Sequence, residues 1–318
     1  MRSSSLSLVT LSWLFLSAGC AGGSGDGPNG FTGGTGPTSS GGAFGSGGAF
    51  GSGGAFGSGG QAAGGSASGG AASGGSSSGG AAASGGATAV LDCNTPMPTS
   101  VGASHAANGN GGAGNLDWEI WSNVPSGTMT TWDVPAFRAN WNNSGDYLAR
   151  LGLEWGGGGL QHAEIGTVTA QFAYTKTGDD SSSPGGYSYF GVYGWSLDPC
   201  IEYYIVDDSF NTLPVNPGMT TQKADNVAID DGTYVMYTRQ TPGTGGSRCS
   251  ASSWTQYYSI RKQGRSCGTI SVSEHFDKWA ELGMPLGDLL EVKILVEVGG
   301  GTGSADFAVA NVTAVPPP

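Results

Sequence analysis

From Leu91 onward the chain runs in short stretches of alternating apolar and polar residues, separated by Gly, Asn, Asp and Ser. Alternation of period two places successive side chains on opposite faces of a strand, so many short runs broken by turn residues predict an all-β sandwich or barrel. One run sets Tyr189, Gly191, Tyr193 and Trp195 on one face and Phe190, Val192 and Gly194 on the other. The next sets Glu202 and Tyr204 opposite Ile201, Tyr203 and Ile205. Near the end, Leu290, Val292, Ile294 and Val296 form an apolar face, with Glu291, Lys293, Leu295 and Glu297 behind it. A single helix is predicted, with Ser273 as N-cap, an apolar stripe of Phe276, Trp279 and Ala280, and Gly283 as the terminating glycine.

The first ninety residues follow another pattern. Arg2, an apolar run from Leu6 to Leu16 and the small residues Ser17, Ala18 and Gly19 ahead of Cys20 predict a signal peptide over residues 1–20. The run is too short to cross ~30 Å of hydrocarbon. Leu16-Ser17-Ala18-Gly19-Cys20 resembles a bacterial lipobox, in which the cysteine is acylated, although Ser17 departs from it; lipid anchoring through Cys20 and simple secretion both stay open. Residues 21–90 are mostly Gly, Ala, Ser and Thr, with three copies of Gly-Gly-Ala-Phe-Gly-Ser and one charge, Asp26, and cannot build a core. A flexible tether is expected there, with an r.m.s. reach of ~45 Å. Residues 91–318 form one domain's worth of chain.

Composition narrows the partners. The 318 residues carry 24 acidic and 12 basic side chains, a formal charge of −12, which disfavours nucleic acid and anionic membranes and suits a neutral substrate. His105, His162 and His275 are too scattered for a zinc site, and neither a nucleophile elbow nor a phosphate loop is present. No cofactor is expected. Apart from Cys20, four cysteines remain, Cys93, Cys200, Cys249 and Cys267, compatible with disulfides in an exported protein. Their connectivity stays open, but a straight strand between Cys249 and Cys267 would hold that pair apart.

Eight of the nine tryptophans and all eleven tyrosines lie in the C-terminal domain. Glu202 and Glu297 share strand faces with some of these rings, which an interior would not tolerate without pairing. Sugars stack on aromatics and glycoside hydrolysis uses two carboxyls, so carbohydrate chemistry is indicated.

The sequence Tyr193-Gly194-Trp195-Ser196-Leu197-Asp198-Pro199-Cys200-Ile201-Glu202-Tyr203-Tyr204-Ile205-Val206 resembles the nucleophile signature of the family 11 glycoside hydrolases, which are endo-1,4-β-xylanases. Phe137 to Asn143, Thr255 to Arg261 and His275 to Met284 match further blocks in order, and the resemblance covers roughly Asn115 to Ala314. It implies a β-jelly roll of two curled antiparallel sheets, a hairpin thumb over an open cleft and one helix. It also implies a retaining reaction on xylan, with Glu202 as nucleophile and Glu297 as acid/base catalyst, their carboxyls ~5 to 5.5 Å apart.

By the same resemblance Tyr193 and Tyr204 flank the nucleophile, Trp121 stacks a xylose in the glycone half, and Arg239 and Gln256 contact the sugar near Glu202. Asp146 takes the position beside the acid/base glutamate, where Asp accompanies an acidic pH optimum; the expected reason is that the singly protonated pair is the active form and is populated only at low pH. The thumb segment Pro242-Gly243-Thr244-Gly245-Gly246-Ser247-Arg248-Cys249 lacks the usual Pro-Ser-Ile tip, Val298-Gly299 follows Glu297 where a Gly-aromatic pair is usual, and Glu291 stands where an aromatic is common. A monomer acting outside a bacterial cell on xylan and xylo-oligosaccharides is expected. Two alternatives stand beside it: a non-catalytic glycan-binding surface protein, and a family 12-like endo-glucanase.

Overall fold

The computed structural model describes residues 90–318 except 124–126, 143–144, 181–185, 243–247 and 250. The expected signal peptide, Cys20, nearly all of the tether and the tip of the thumb lie outside the described residues. In chain order the elements are β1 (Ala103–His105), β2 (Gly109–Ala113), β3 (Leu116–Ser122), β4 (Gly127–Thr131), β5 (Phe137–Asn142), β6 (Tyr147–Glu154), α1 (His162–Ile165), β7 (Thr167–Gly178) and β8 (Ser188–Leu197). They continue with β9 (Ile201–Asp208), β10 (Thr221–Ile229), β11 (Gly232–Pro242), β12 (Ser253–Arg261), β13 (Cys267–Ile270), α2 (Val272–Glu281), β14 (Asp288–Val298) and β15 (Thr302–Val315).

Two sheets result. The smaller has the order β1-β4-β5-β15-β7-β13, the larger β10-β11-β12-β9-β8-β14-β6-β3-β2. Pairing is antiparallel except where β12 runs parallel to β9, setting Gln256 opposite Glu202. The main core draws on both sheets: Phe137, Phe172 and Phe307 from the smaller, and Phe190, Val192, Tyr203, Ile205, Val292, Ile294 and Val296 from the larger. Each such side chain contributes roughly 1.5–3 kcal/mol by leaving water. Tyr189, Tyr193, Trp195, Tyr204, Trp254 and Tyr258 form a second cluster on the opposite face of the larger sheet. The ring-bearing faces expected for β8 and β9 are those observed.

The expectation for β14 holds except at Leu290. A register shift between Leu289 and Glu291 turns Leu289 into the main core and Leu290 into the second cluster. One extra residue in a strand flips the facing of everything before it, which alternation alone does not reveal.

The expected single helix is α2, and a second, one-turn helix, α1, accompanies it. Gln161 and Glu164 close a capping box around α1, a local device with no apolar stripe to announce it. The N-cap of α2 is Ser271, two residues before the expected Ser273. Ser273 instead bonds His162 at 2.8 Å and accepts a hydrogen bond from the Val168 amide at 2.8 Å. The buried stripe is Val272, His275, Phe276 and Trp279, with Ala280 exposed, while Gly283 does end the helix at φ +74°. Cys93 pairs with Cys267 and Cys200 with Cys249.

Candidate active site

Glu202 sits mid-sheet on β9, 7% exposed, and its carboxylate is saturated by donors from three strands. Tyr193 and Tyr204 donate to Oε1 at 2.8 and 2.9 Å. Trp254 Nε1 and Gln256 Nε2 donate to Oε2 at 2.8 and 2.6 Å. Gln256 is itself held, because its Oε1 accepts from Tyr258 and Thr241, each at 3.0 Å. The indole of Trp195 donates to the Tyr193 hydroxyl at 2.5 Å. Four charge-assisted bonds fix the anion's orientation and leave its rotamer little freedom.

Glu297, also 7% exposed, lines the same cleft from β14. Burial, then the charges of Asp146 and Glu202, push its carboxyl well above the ordinary range. Its Oε1 accepts from Tyr187 at 3.3 Å, while Glu297 Oε2 and Asp146 Oδ1 are buried without a hydrogen-bond partner among the described residues. Asp146 is pushed up to about 6, chiefly by burial, with Glu202's charge adding and a bond from Tyr187 opposing. The two carboxyls are thus treated unlike, Glu202 held by four donors and Glu297 pushed up by burial and neighbouring charge.

The cleft, about 500 Å³, is lined among others by Trp121, Asp146, Tyr193, Glu202, Tyr204, Gln256 and Glu297. Seven of the eight residues expected at the site therefore meet in it. Trp121 is 39% exposed, as a stacking platform needs and a core indole does not. Arg239 shares a register position with Gln256, but its Nη1 donates to the Pro217 carbonyl at 3.3 Å and it does not line the cavity. Tyr187 and Trp254 were not expected. Each lies two residues from a predicted cleft residue or ring, Trp254 on β12 and Tyr187 immediately before β8, and this was the available signal. Gly299 is also explained, since a Cβ there would lie 2.2 Å from the Tyr187 ring.

Residues 113–308 match the family described as "Glycosyl hydrolases family 11". The chain belongs to glycosyl hydrolase family 11. The endo-1,4-beta-xylanase C of Fibrobacter succinogenes is 40% identical to this family 11 chain over 210 residues, 64% of the chain and 32% of the relative. The endo-1,4-beta-xylanase S20 of Neocallimastix patriciarum is 42% identical over 199 residues, 62% of the chain and 57% of the relative. The family 11 chain thus spans only about a third to under three fifths of these two relatives. The crystal structure of wild-type ENZbleach xylanase superposes with a TM-score of 0.61 at 28% identity, covering 71% of this chain and 93% of that one. Within the family 11 fold, the expected two-sheet architecture holds, except that β9 and β12 pair in parallel where antiparallel sheets were expected and a second short helix is added.

Proposed function

We propose that the protein hydrolyses internal β-1,4-xylosidic bonds of xylan with retention of configuration. Glu202 attacks the anomeric carbon while Glu297 gives its proton to the departing oxygen; the glycosyl–Glu202 ester is then hydrolysed by water that Glu297, now a base, deprotonates. The observation that carries this reading is the unlike treatment of two carboxyls in one cleft, Glu202 held by four donors and Glu297 buried with Oε2 unpartnered and its carboxyl pushed up. As charge leaves Glu202 in the covalent intermediate, one of the causes raising Glu297 disappears, which suits its change of role.

Trp121 supplies a stacking surface, Tyr193, Tyr204 and Gln256 orient nucleophile and sugar, and Arg239 braces the base of the thumb. The names of the relatives support xylan as substrate. Asp146 tunes the acid: once ionised, its charge raises Glu297 further and makes it a weaker proton donor, so activity favours pH below about 6. The protein acts as an exported monomer, with Cys20 as the candidate lipid anchor.

Glu202→Gln and Glu297→Gln each should lower reducing-end release from soluble xylan by at least about a thousandfold. A wild-type protein that retards in xylan-containing gels yet releases no reducing ends would be a binding module. Preferential hydrolysis of cellulose or mixed-linkage glucan would point to an endo-glucanase.

A further inference from the structure

The cleft floor holds charges that a neutral sugar polymer does not call for. Arg150 on β6 pairs with Glu119 at 2.7 Å and Glu291 at 3.3 Å. Lys293 on β14 pairs with Glu291 at 2.9 Å and Glu154 at 2.7 Å. Lys293 and Glu291 have no exposed surface at all, and Arg150 is 3% exposed. Taking such groups out of water is costly unless their charges balance, and two cations against three carboxylates leave one negative charge in excess.

The missing cation comes from the opposite wall. Arg248, ahead of β12, pairs with Glu119, lies 3.6 Å from Glu291 and 3.7 Å from Glu154, and lines the cleft. Strands β9, β8, β14 and β6 lie between β12 and β3, which carries Glu119. At ~4.8 Å per strand this is more than a guanidinium spans from the β12 edge, so the backbone at Arg248 leans over the cleft. The Cys200–Cys249 disulfide holds it there, against the start of β9.

Glu119 and Trp121 lie two residues apart on one face of β3 and both line the cleft, so the cluster sits beside the indole expected to stack the glycone. We propose that Arg248 is a specificity-determining latch: by neutralising the Glu119–Glu154–Glu291 cluster from across the cleft, it closes the end where sugars retained on Glu202 extend and so limits the length of the glycone. Short glycones fit inside the latch, and longer ones bind only when the ion pairs part. The inference rests on the proposed reaction, in which the glycone is the part that stays on Glu202.

The test is the bond cut in xylo-oligosaccharides labelled at the reducing end, using the full chain and its Arg248→Ala and Arg248→Lys variants. The wild type is expected to cut near the non-reducing end. Arg248→Ala should move the preferred cut toward the reducing end, with roughly a tenfold change in product ratio, and should raise viscosity loss per reducing end on polymeric xylan. Arg248→Lys, which keeps the charge, should fall between. Thermal melting of each variant reports folding, and if Arg248→Ala does not fold, Glu119→Gln, which removes one latch partner, must produce the same direction of shift. Active enzymes with identical cleavage positions in all variants would overturn the latch. Absence of hydrolysis in the folded wild type would overturn the reaction itself.

Discussion

The indole nitrogen of Trp254 lies 2.8 Å from Oε2 of Glu202, and the amide nitrogen of Gln256, two residues along the same strand, lies 2.6 Å from that oxygen. The strand that follows the thumb therefore aims two donors at one lone-pair-rich atom, leaving Oε1 to the two tyrosines. If Glu202 is the nucleophile of the proposed reaction, these donors hold it in one rotamer, and each donor removed loosens it. Trp254→Phe keeps the ring and deletes the donor. It should lower kcat on xylan by about tenfold, in keeping with ~1.5–3 kcal/mol for a hydrogen bond to a charged group. Steady-state kinetics with unchanged far-UV circular dichroism checks this, and a wild-type kcat would contradict it.

In the proposed reaction Asp146 sets the pH dependence. Its folded value of about 6 stands above the ordinary 3.8. On the proposed reaction, Asp146→Asn removes the neighbouring charge that makes Glu297 a reluctant proton donor above about pH 6, so the alkaline limb of kcat/KM should move upward. An unchanged profile would refute the coupling.

The same shift predicts a stability effect. Between about pH 4 and 6 the folded state binds more protons at Asp146 than the unfolded chain, so stability falls as pH rises through that window and stays reduced above it. At ~1.4 kcal/mol per unit the full effect is about 3 kcal/mol. Asp146→Asn should therefore raise the Tm at pH 7 and leave it nearly unchanged at pH 4, as read by calorimetry at both pH values.

His275 acts in the opposite sense. It is wholly buried on α2, neither ring nitrogen has a hydrogen-bond partner among the described residues, and burial, then Arg265 and Arg261, lower it to about 3. The unfolded chain takes up a proton near pH 6.5 that the folded state refuses, so stability is lost as pH falls from there toward 3. By pH 4 the loss amounts to about 3 kcal/mol. His275→Phe should shrink the fall in Tm between pH 7 and pH 4; an equal fall would exclude His275 as its source.

The Cys93–Cys267 bond ties the segment before β1 to β13, an edge of the smaller sheet, across a separation of 174 residues. The loop-entropy argument assigns such a crosslink about 4–5 kcal/mol. Cys93→Ser should lower the Tm by several degrees while leaving kcat at 25 °C near wild type, because neither cysteine lines the cleft.

Alternation by itself determined which rings and carboxyls share a face of β8, β9 and β14, since a strand's side chains can only alternate. The motif around Glu202 carried the rest of the recognition, from two-sheet architecture to seven residues of the cleft. The tertiary structure alone decided what depends on contacts between distant strands. The bulge that turns Leu290 around, the choice of Cys267 for Cys93, the turn of Arg239 toward Pro217 and the Tyr187 hydrogen bond to Glu297 are such features. So is the closing of a three-carboxylate cluster by Arg248, because charge balance is a sum over neighbours in space and a single sequence does not say who those neighbours are.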